Sequence, residues 1–367
     1  GEKMKKSIVE ILNQEEFSKE DLVALMKIDN NTDMELLMKK AYEVKAKYVG
    51  KKVYYRGLIE ISNICIKNCN YCGIRKGNTK VQRFSMTRSE IMDAVKWIYD
   101  HNYASIALQS GERQDEEFVL FIEDLLKEIK KISNGKLGVT LSLGEQTKET
   151  YKRWFDAGAH RYLLRIESTK DSLFKKLHPQ DNCHTYEVRK RCLEYLRDVG
   201  YQVGTGVMIG LPGQTEEDLV NDILFYKDMN IDMIGMGPYI LHHDTPLGQE
   251  WKDTVISEEK RVELGLKMIA ITRIFLKDVN IAATTALQGL DPKGREKGLA
   301  AGANILMPTA TAQQHKNKYL LYDNKPGIND SVEKSHEEMD KKVHAVGDEI
   351  VYGEWGDSIH FKNKHNK

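Results

Sequence analysis

From residue 52 to residue 307, short apolar and β-branched runs alternate with longer stretches whose apolar positions recur three and four residues apart. That alternation predicts repeated βα units and a parallel sheet. The strand-like runs are Val53 to Ile61, Ser105 to Gln109, Gly138 to Leu143, Arg161 to Ile166, Gln202 to Met208, Met233 to Met236, Ile281 to Thr285 and Ile305 to Met307. Eight of them suffice for an α/β fold closed as a (βα)8 TIM barrel. Thr87-x-x-Glu90 and Thr215-x-x-Asp218 are capping boxes that open helices between strands. Residues 1–50 read differently: Ile8, Ile11 and Leu12 fall at helical spacing, and Ser18-x-x-Asp21 and Thr32-x-x-Glu35 open two further helices. This N-terminal helical extension is expected to plug or collar one end of the barrel, which spans 51–322. Residues 323–367 form a C-terminal extension that starts at the turn Asp323-Asn324-Lys325-Pro326-Gly327 and is charged until Glu349-Ile350-Val351-Tyr352. Its polar end, Lys362 to Lys367, is expected to fray.

Composition narrows the class of partner. The 55 basic and 55 acidic residues cancel, so no broad field favours nucleic acid or an anionic membrane surface. No apolar run reaches membrane-spanning length, and Met4-Lys5-Lys6 leads into an amphipathic pattern rather than a signal peptide. These features point to a small-molecule partner and a cytoplasmic location. The five cysteines suit a reducing compartment.

Three of those cysteines, Cys65, Cys69 and Cys72, share the loop that follows the first strand, spaced Cys-x3-Cys-x2-Cys. Three thiolates at that spacing can hold three irons of a four-iron four-sulfur cluster and leave the fourth open for a reacting molecule. A structural zinc needs a fourth ligand, and the nearest histidine, His101, lies about thirty residues on across a helix. A disulfide loop suits a small secreted domain better. Cys183 and Cys192 fit no cluster spacing and read as structural. In barrels of this kind chemistry sits at the C-terminal ends of the strands. Those ends carry a polar set: Gln109-Ser110-Gly111-Glu112, Thr140, Arg165-Ile166-Glu167, Met233 to Pro238, and Ala283-Thr284-Thr285-Ala286, with Arg189 on a following helix. Taken singly, each is an ordinary buried hydrogen-bond partner, packing residue or solvated helix charge. Their recurrence at successive strand ends suits a compact, anionic substrate. A histidine-bearing helix near His336 reads as exposed charge.

The cysteine loop, with the aromatic Tyr71 before its last cysteine, resembles that of the radical S-adenosylmethionine (radical SAM) superfamily. Tyr55-Arg56-Gly57-Leu58-Ile59-Glu60, Leu108-Gln109-Ser110-Gly111-Glu112, Thr140-Leu141-Ser142-Leu143-Gly144-Glu145, Arg161-Tyr162-Leu163-Leu164-Arg165, Ile209 to Thr215, Asp244 to Leu247 and Ala283 to Ala286 resemble the HydE family of iron-iron hydrogenase maturases. The likeness runs in order over about residues 5–325. It implies one four-iron four-sulfur cluster held by Cys65, Cys69 and Cys72, with SAM on the open iron. One-electron reduction would then give a 5′-deoxyadenosyl radical. Tyr71, Gly111, Glu112, Glu167 and Arg189 would serve the SAM site, with Met233 near the adenosyl part. Gln109, Thr140, Arg165, Thr284, Thr285 and Ala286 would form an anion-binding inner pocket closed by Tyr319 and Tyr322. The implied substrate is a small cysteine-ligated iron complex carrying carbon monoxide and cyanide. The implied partners are a one-electron reductant such as flavodoxin or ferredoxin and other maturation proteins.

Four departures matter. Ile166 stands where the family usually has histidine, Gln288-Gly289-Leu290 replaces Gly-Thr-Ile, and Arg113-Gln114-Asp115-Glu116 replaces Asp-Pro-Tyr-Tyr. The C-terminal region has no cysteines for a second cluster. The first three fall near the pocket, which keeps open a relative acting on another small carboxylate or amino acid, as in methylornithine synthase or biotin synthase chemistry.

Overall fold

All eight predicted strands are present, and they close into a ring. The computed structural model describes residues 5–366; Met4 of the basic lead and Lys367 of the polar end lie outside them. The first strand is Lys52–Tyr55 continued as Gly57–Ser62, followed by Ser105–Ser110, Gly138–Ser142, Arg161–Leu163, Gln202–Thr205, Met233–Ile234 and Asn280–Ile281. These seven pair in parallel, each beside the next. The eighth, Ile305–Leu306, bridges Ala282 on one side and pairs with Tyr54 and Tyr55 on the other, with a further bridge from Leu58 to Thr309. The seventh strand is shorter than its sequence pattern: helix resumes at Thr285, so Thr284 is a helix cap and not a strand residue.

Strand alternation sorts the side chains into two environments. Ile59, Ile106, Val139, Tyr162, Val203, Ile234 and Ile281 occupy one face in register and are buried against the surrounding helices. A Cβ on Gly57 would lie 2.5 Å from Ile98 of the Arg88–Asp100 helix, which fixes this face as the outer one. The inward positions are mostly polar or small, among them Arg56 and Glu60, Ser105 and Gln109, Thr140, Arg161 and Arg165, Gly204 and Asn280, with Leu58, Leu163 and Met233 as the apolar exceptions. The apolar core is therefore a shell between sheet and helices, and the lumen is free to be polar.

The N-terminal extension forms helices Ile8–Leu12, Lys19–Met26 and Asn31–Tyr48, with Ser18 and Asp21 making the predicted capping box. The third starts at Asn31 behind its cap Asn30, two residues before the predicted cap Thr32. It does not plug an end. The last two pack on the Glu258–Leu276 helix, the second also touches Glu216–Asp228, and Lys267 donates to the carbonyls of Met26 and Ile28. The reason is the Glu258–Leu276 helix, which is buried nearly all round and needs apolar neighbours on its outer side.

The C-terminal extension takes the end instead. Glu349–Ile350 pairs with the first strand, and residues 355–358 then cross the N-terminal mouth of the barrel. There the Trp355 carbonyl accepts from Arg56 (2.7 Å), Arg161 (3.0 Å) and Ser105 (3.1 Å), and the Gly356 carbonyl accepts from Arg56 (2.7 Å) and Asn280 (3.0 Å). The lumen's lower polar ring thus meets the backbone of its own tail. Among the described residues the end does not fray: Ile359–His365 is a helix, tied by His360 to Asp278 and by Lys364 to Asp232. His336 is no exposed charge either; its ring is only partly exposed and sits among Tyr55, Trp97 and Tyr103. No helix among the described residues is long and apolar enough to cross a membrane.

Candidate functional site

The cysteine loop leaves the first strand at the C-terminal rim, the end at which such barrels place their chemistry. Its irregular backbone is held by side chains. Arg83 donates to the carbonyls of Asn63 (2.7 Å), Ile74 (2.6 Å), Arg75 (2.6 Å) and Asn78 (3.1 Å), and Asn78 donates to that of Gly73 (2.7 Å). Gly111 lets the next strand's loop come close: a Cβ there would lie 2.3 Å from the Ile64 carbonyl oxygen and 2.9 Å from the Cys65 Cβ. The Glu112 N–H points at Cys65 Sγ, 3.3 Å away.

Burial pushes the Cys65 and Cys69 thiols up, and that of Cys72 to about 12. Bare thiolates are disfavoured in that setting, whereas bound irons would supply the compensating positive charge. Among the described residues no fourth cysteine approaches: Cys183 is exposed, contrary to its structural reading, and Cys192 is buried in the Tyr186–Val199 helix. Three sulfurs without a fourth fit a cluster that keeps one iron open.

Around the loop the structure gathers several of the predicted SAM-site residues. Tyr71 donates to Glu167 Oε2 (3.3 Å), Arg165 Nε donates to Glu167 Oε1 (2.8 Å), and Arg189 Nε donates to the Arg165 carbonyl (2.9 Å). Glu167 has φ +67°, a left-handed backbone that a non-glycine residue adopts at some strain. It is held there by its N–H on the Gly206 carbonyl (3.0 Å) and its own carbonyl on the Met208 N–H (3.0 Å). Arg189 is not a solvated helix charge. With Lys67 it faces the buried carboxylates of Glu112 and Glu145, at 3.5 and 3.2 Å from Arg189 and at 3.4 and 3.0 Å from Lys67. Burial, then the neighbouring Glu145, pushes the Glu112 carboxyl up against the pull of Arg189 and Lys67. Burial alone would lower Lys67, and the two carboxylates outweigh it, so its ammonium is held above the usual range. Met233 lies on the inward face of the sixth strand, where a Cβ on Gly204 would come within 2.9 Å of its Cε.

Lys67 and Glu145 were missed as functional residues. The Gly-Glu dipeptide that ends strand two recurs as Gly144-Glu145 at the end of strand three, and that repetition is the signal that finds Glu145. Nothing in the sequence marks Lys67 beyond its place between two cysteines.

The predicted pocket residues are placed unevenly. Gln109 aligns with Glu60 on the inner face. Thr140 sits lower, its hydroxyl accepting from Arg161 Nε (2.8 Å). The Thr284 hydroxyl is buried without a partner, and a Cβ on Gly237 would lie 2.6 Å from it and 3.3 Å from that of Ala286. Thr285 and Gln288 accept from Arg295 at 3.0 and 2.7 Å, leaving Arg295 Nε unpartnered. Tyr319 is buried beneath Lys325, whose ammonium lies 2.6 Å from Glu60 Oε2. Burial pushes the Tyr322 phenol up, with Arg295, Glu60 and Arg165 as its charged neighbours. A cavity of about 50 Å³ is lined by Glu60, Thr285, Gln288, Arg295 and Lys325 among others. Arg295 lies in no stretch singled out from the sequence, and Glu60 and Lys325, though within a family-like stretch and a turn, were not predicted as pocket residues.

Of the departures, only Gln288 reaches this cavity. Ile166 lies wholly in the apolar core, and Arg113 turns away to Asp115 (2.9 Å).

Behind Glu167, the Asp222 carboxylate accepts from Thr169 N (3.1 Å) and lies 1 % exposed. Burial raises it to about 7. The folded chain then holds this proton through the range in which the unfolded chain has lost it, so stability falls as pH rises from about 4 to 7, by up to about 1.4 kcal/mol per unit. Urea unfolding of the cluster-free chain at pH 5 and pH 7 is expected to show this loss and Asp222→Asn to lack most of it; equal slopes would exclude the assignment.

The Radical SAM superfamily profile matches residues 59–226. The chain is 44% identical to the [FeFe] hydrogenase maturase subunit HydE of Thermotoga maritima over 321 residues, covering 87% of this chain and 88% of that one. Its fold is similar to that of methylornithine synthase (PylB), with TM-score 0.78 at 20% identity over 95% of this chain and 98% of that one. It is similar also to the FeFe-hydrogenase maturase HydG of Carboxydothermus hydrogenoformans, with TM-score 0.78 at 18% identity over 94% and 79%.

Proposed function

The chain belongs to the HydE family of radical SAM enzymes, and from that premise we propose that it matures the iron-iron hydrogenase active site by acting on a small anionic precursor, a cysteine-ligated iron carbonyl cyanide complex. The observation that carries this reading is 44% identity over 87% of the chain, with the three-cysteine loop at the catalytic rim. Its cofactors are one four-iron four-sulfur cluster and SAM. We assign Cys65, Cys69 and Cys72 as the cluster's ligands. Bound together, these cofactors supply one-electron reductive cleavage of the sulfonium.

The chain's own residues do the rest. Glu167, oriented by Arg165 and Tyr71, offers a carboxylate to the polar groups of SAM, and Met233 offers an apolar surface to its adenosyl part. The neutral quartet of Lys67, Arg189, Glu112 and Glu145 keeps the loop rigid without net charge beside the cluster. The buried, unpartnered Thr284 hydroxyl and Arg295 Nε suit an anion, as would the guanidinium of Arg165 and the amide of Gln109. Tyr319 and Tyr322 exclude water. The electron would come from a flavodoxin or ferredoxin, and other maturation proteins would supply and receive the iron complex, in the cytoplasm.

The test is anaerobic. Reconstituted protein is expected to bind about four irons, to change its reduced cluster signal when SAM is added, and to form 5′-deoxyadenosine. An unchanged signal would end this reading. Gln288, at the cavity wall, favours a second reading, a relative acting on another small carboxylate or amino acid. Deuterium transfer from a labelled candidate substrate into 5′-deoxyadenosine separates the two.

A further inference from the structure

Two buried histidines lie against the cysteine loop and have no part in the chemistry above. His178 ends the Asp171–Leu177 helix and His184 follows six residues later, their rings tilted with centroids 3.8 Å apart. The tautomer of His178 follows from its oxygen neighbour. His178 Nδ1 lies 2.8 Å from the Phe174 carbonyl, which can only accept, so Nδ1 carries the proton and Nε2 keeps a lone pair. That Nε2 is buried, in a residue 1 % exposed, and has no hydrogen-bond partner. His184 Nε2 lies 3.5 Å from Glu145 Oε2, a contact without hydrogen-bond geometry, and its Nδ1 lies 3.5 Å from Cys69 Sγ.

Cys69 Sγ and one nitrogen of each ring all lie within 4.8 Å of one another. A buried imidazole held by a backbone oxygen on one nitrogen and unpartnered on the other, beside a second imidazole in contact with a thiol, has the arrangement that metal-binding histidines show. A hydrogen bond from the Cys69 thiol could account for His184. It leaves His178 Nε2 desolvated with nothing gained.

We propose that Cys69, His178 and His184 form a mononuclear site for a divalent cation of the zinc class, filled when the iron–sulfur cluster is absent. Binding releases the Cys69 thiol proton to solvent and involves no electron transfer. Two nitrogens and one sulfur suit zinc or cobalt, with a water completing four-coordination. The shared Cys69 makes the two occupancies exclusive: zinc holds the chain in a cluster-free form, and cluster assembly must displace it. The exclusion rests on the assignment of Cys69 to the cluster made above; the metal site does not.

Cobalt(II) titration of the full-length, cluster-free chain under reducing, oxygen-free conditions tests this. One cobalt per chain is expected, with thiolate charge-transfer and tetrahedral visible bands, and zinc should displace it. Cys65→Ala/Cys72→Ala, which keeps all three proposed ligands, should bind cobalt as the parent does. His178→Gln and His184→Gln should each weaken binding at least about 100-fold, beyond the 10–100-fold that loss of an outer partner produces. One equivalent of zinc should slow iron and sulfide reconstitution of the parent and not of His178→Gln. Loss of the cobalt bands in Cys65→Ala/Cys72→Ala, or undiminished affinity in both histidine variants, overturns the site. The first result does not depend on the histidine variants folding. Cobalt binding as expected in a protein that fails to cleave SAM would sink the proposed function and leave this site standing.

Discussion

Cys65→Ala, Cys69→Ala and Cys72→Ala are each expected to reduce 5′-deoxyadenosine formation to background, measured by chromatography after anaerobic reconstitution and reduction. The loop offers no spare ligand. Cys183 is exposed and Cys192 is enclosed in a helix with its sulfur toward the Gln146 carbonyl (3.6 Å), so neither can take the place of a lost sulfur. A two-cysteine site would leave two irons without protein ligands in an environment that already disfavours thiolate. Iron content should fall with activity, which distinguishes loss of the cluster from a misplaced SAM. Cys183→Ser, the exposed control, should retain both. Cleavage of SAM by any of the three loop variants would defeat the assignment of that cysteine.

The loop and the barrel were legible in the sequence because each depends on local spacing. Alternation of strand and helix patterns reports the outer apolar shell directly, and Cys-x3-Cys-x2-Cys needs only one loop. What remained hidden depends on contacts distant in sequence. The His178 and His184 pair meets Cys69 across more than a hundred residues, and no spacing rule links them. Lys325 reaches Glu60 from beyond residue 322, where the sequence suggests that the barrel has ended. Ile166 shows the converse error: adjacency to Arg165 and Glu167 suggested a pocket residue, but alternation turns it outward into the core. The placement of the two extensions was misjudged for the same reason. Low apolar content made the tail look loose, yet what anchors it is backbone carbonyls received by buried arginines, which hydropathy does not register.

That anchoring carries a second large effect: Asp357→Ala is expected to lower the stability of the whole barrel by about 3 kcal/mol, or about 4 °C in melting temperature for a chain of this length. Arg161 is fully buried, and Asp357 is the carboxylate that balances it, at 2.8 Å. Burial pulls the Arg161 guanidinium down to about 10 even with that partner present. Removing the carboxylate strands the charge, while the partial exposure of Asp357 keeps the loss toward the lower end of the range for buried pairs. Burial alone would raise the Asp357 carboxyl, but His160 and Arg161 hold it well below the usual carboxylate range. A depressed carboxylate contributes its stability above the unfolded pKa of about 4 and loses it only as pH falls through the folded value, so the deficit of the variant should be constant from pH 5 to 8 and shrink only in strong acid. Thermal melts of the cluster-free chain measure both. Arg161→Leu/Asp357→Leu, which removes both charges, should be less damaged than Asp357→Ala; a single variant that melts within a degree of the parent would show that the tail does not hold the barrel. The consequence reaches the chemistry, because Arg161 Nε also holds the Thr140 hydroxyl (2.8 Å) at the floor of the proposed pocket. A tail that releases Arg161 would let that floor move, and substrate affinity should weaken together with stability.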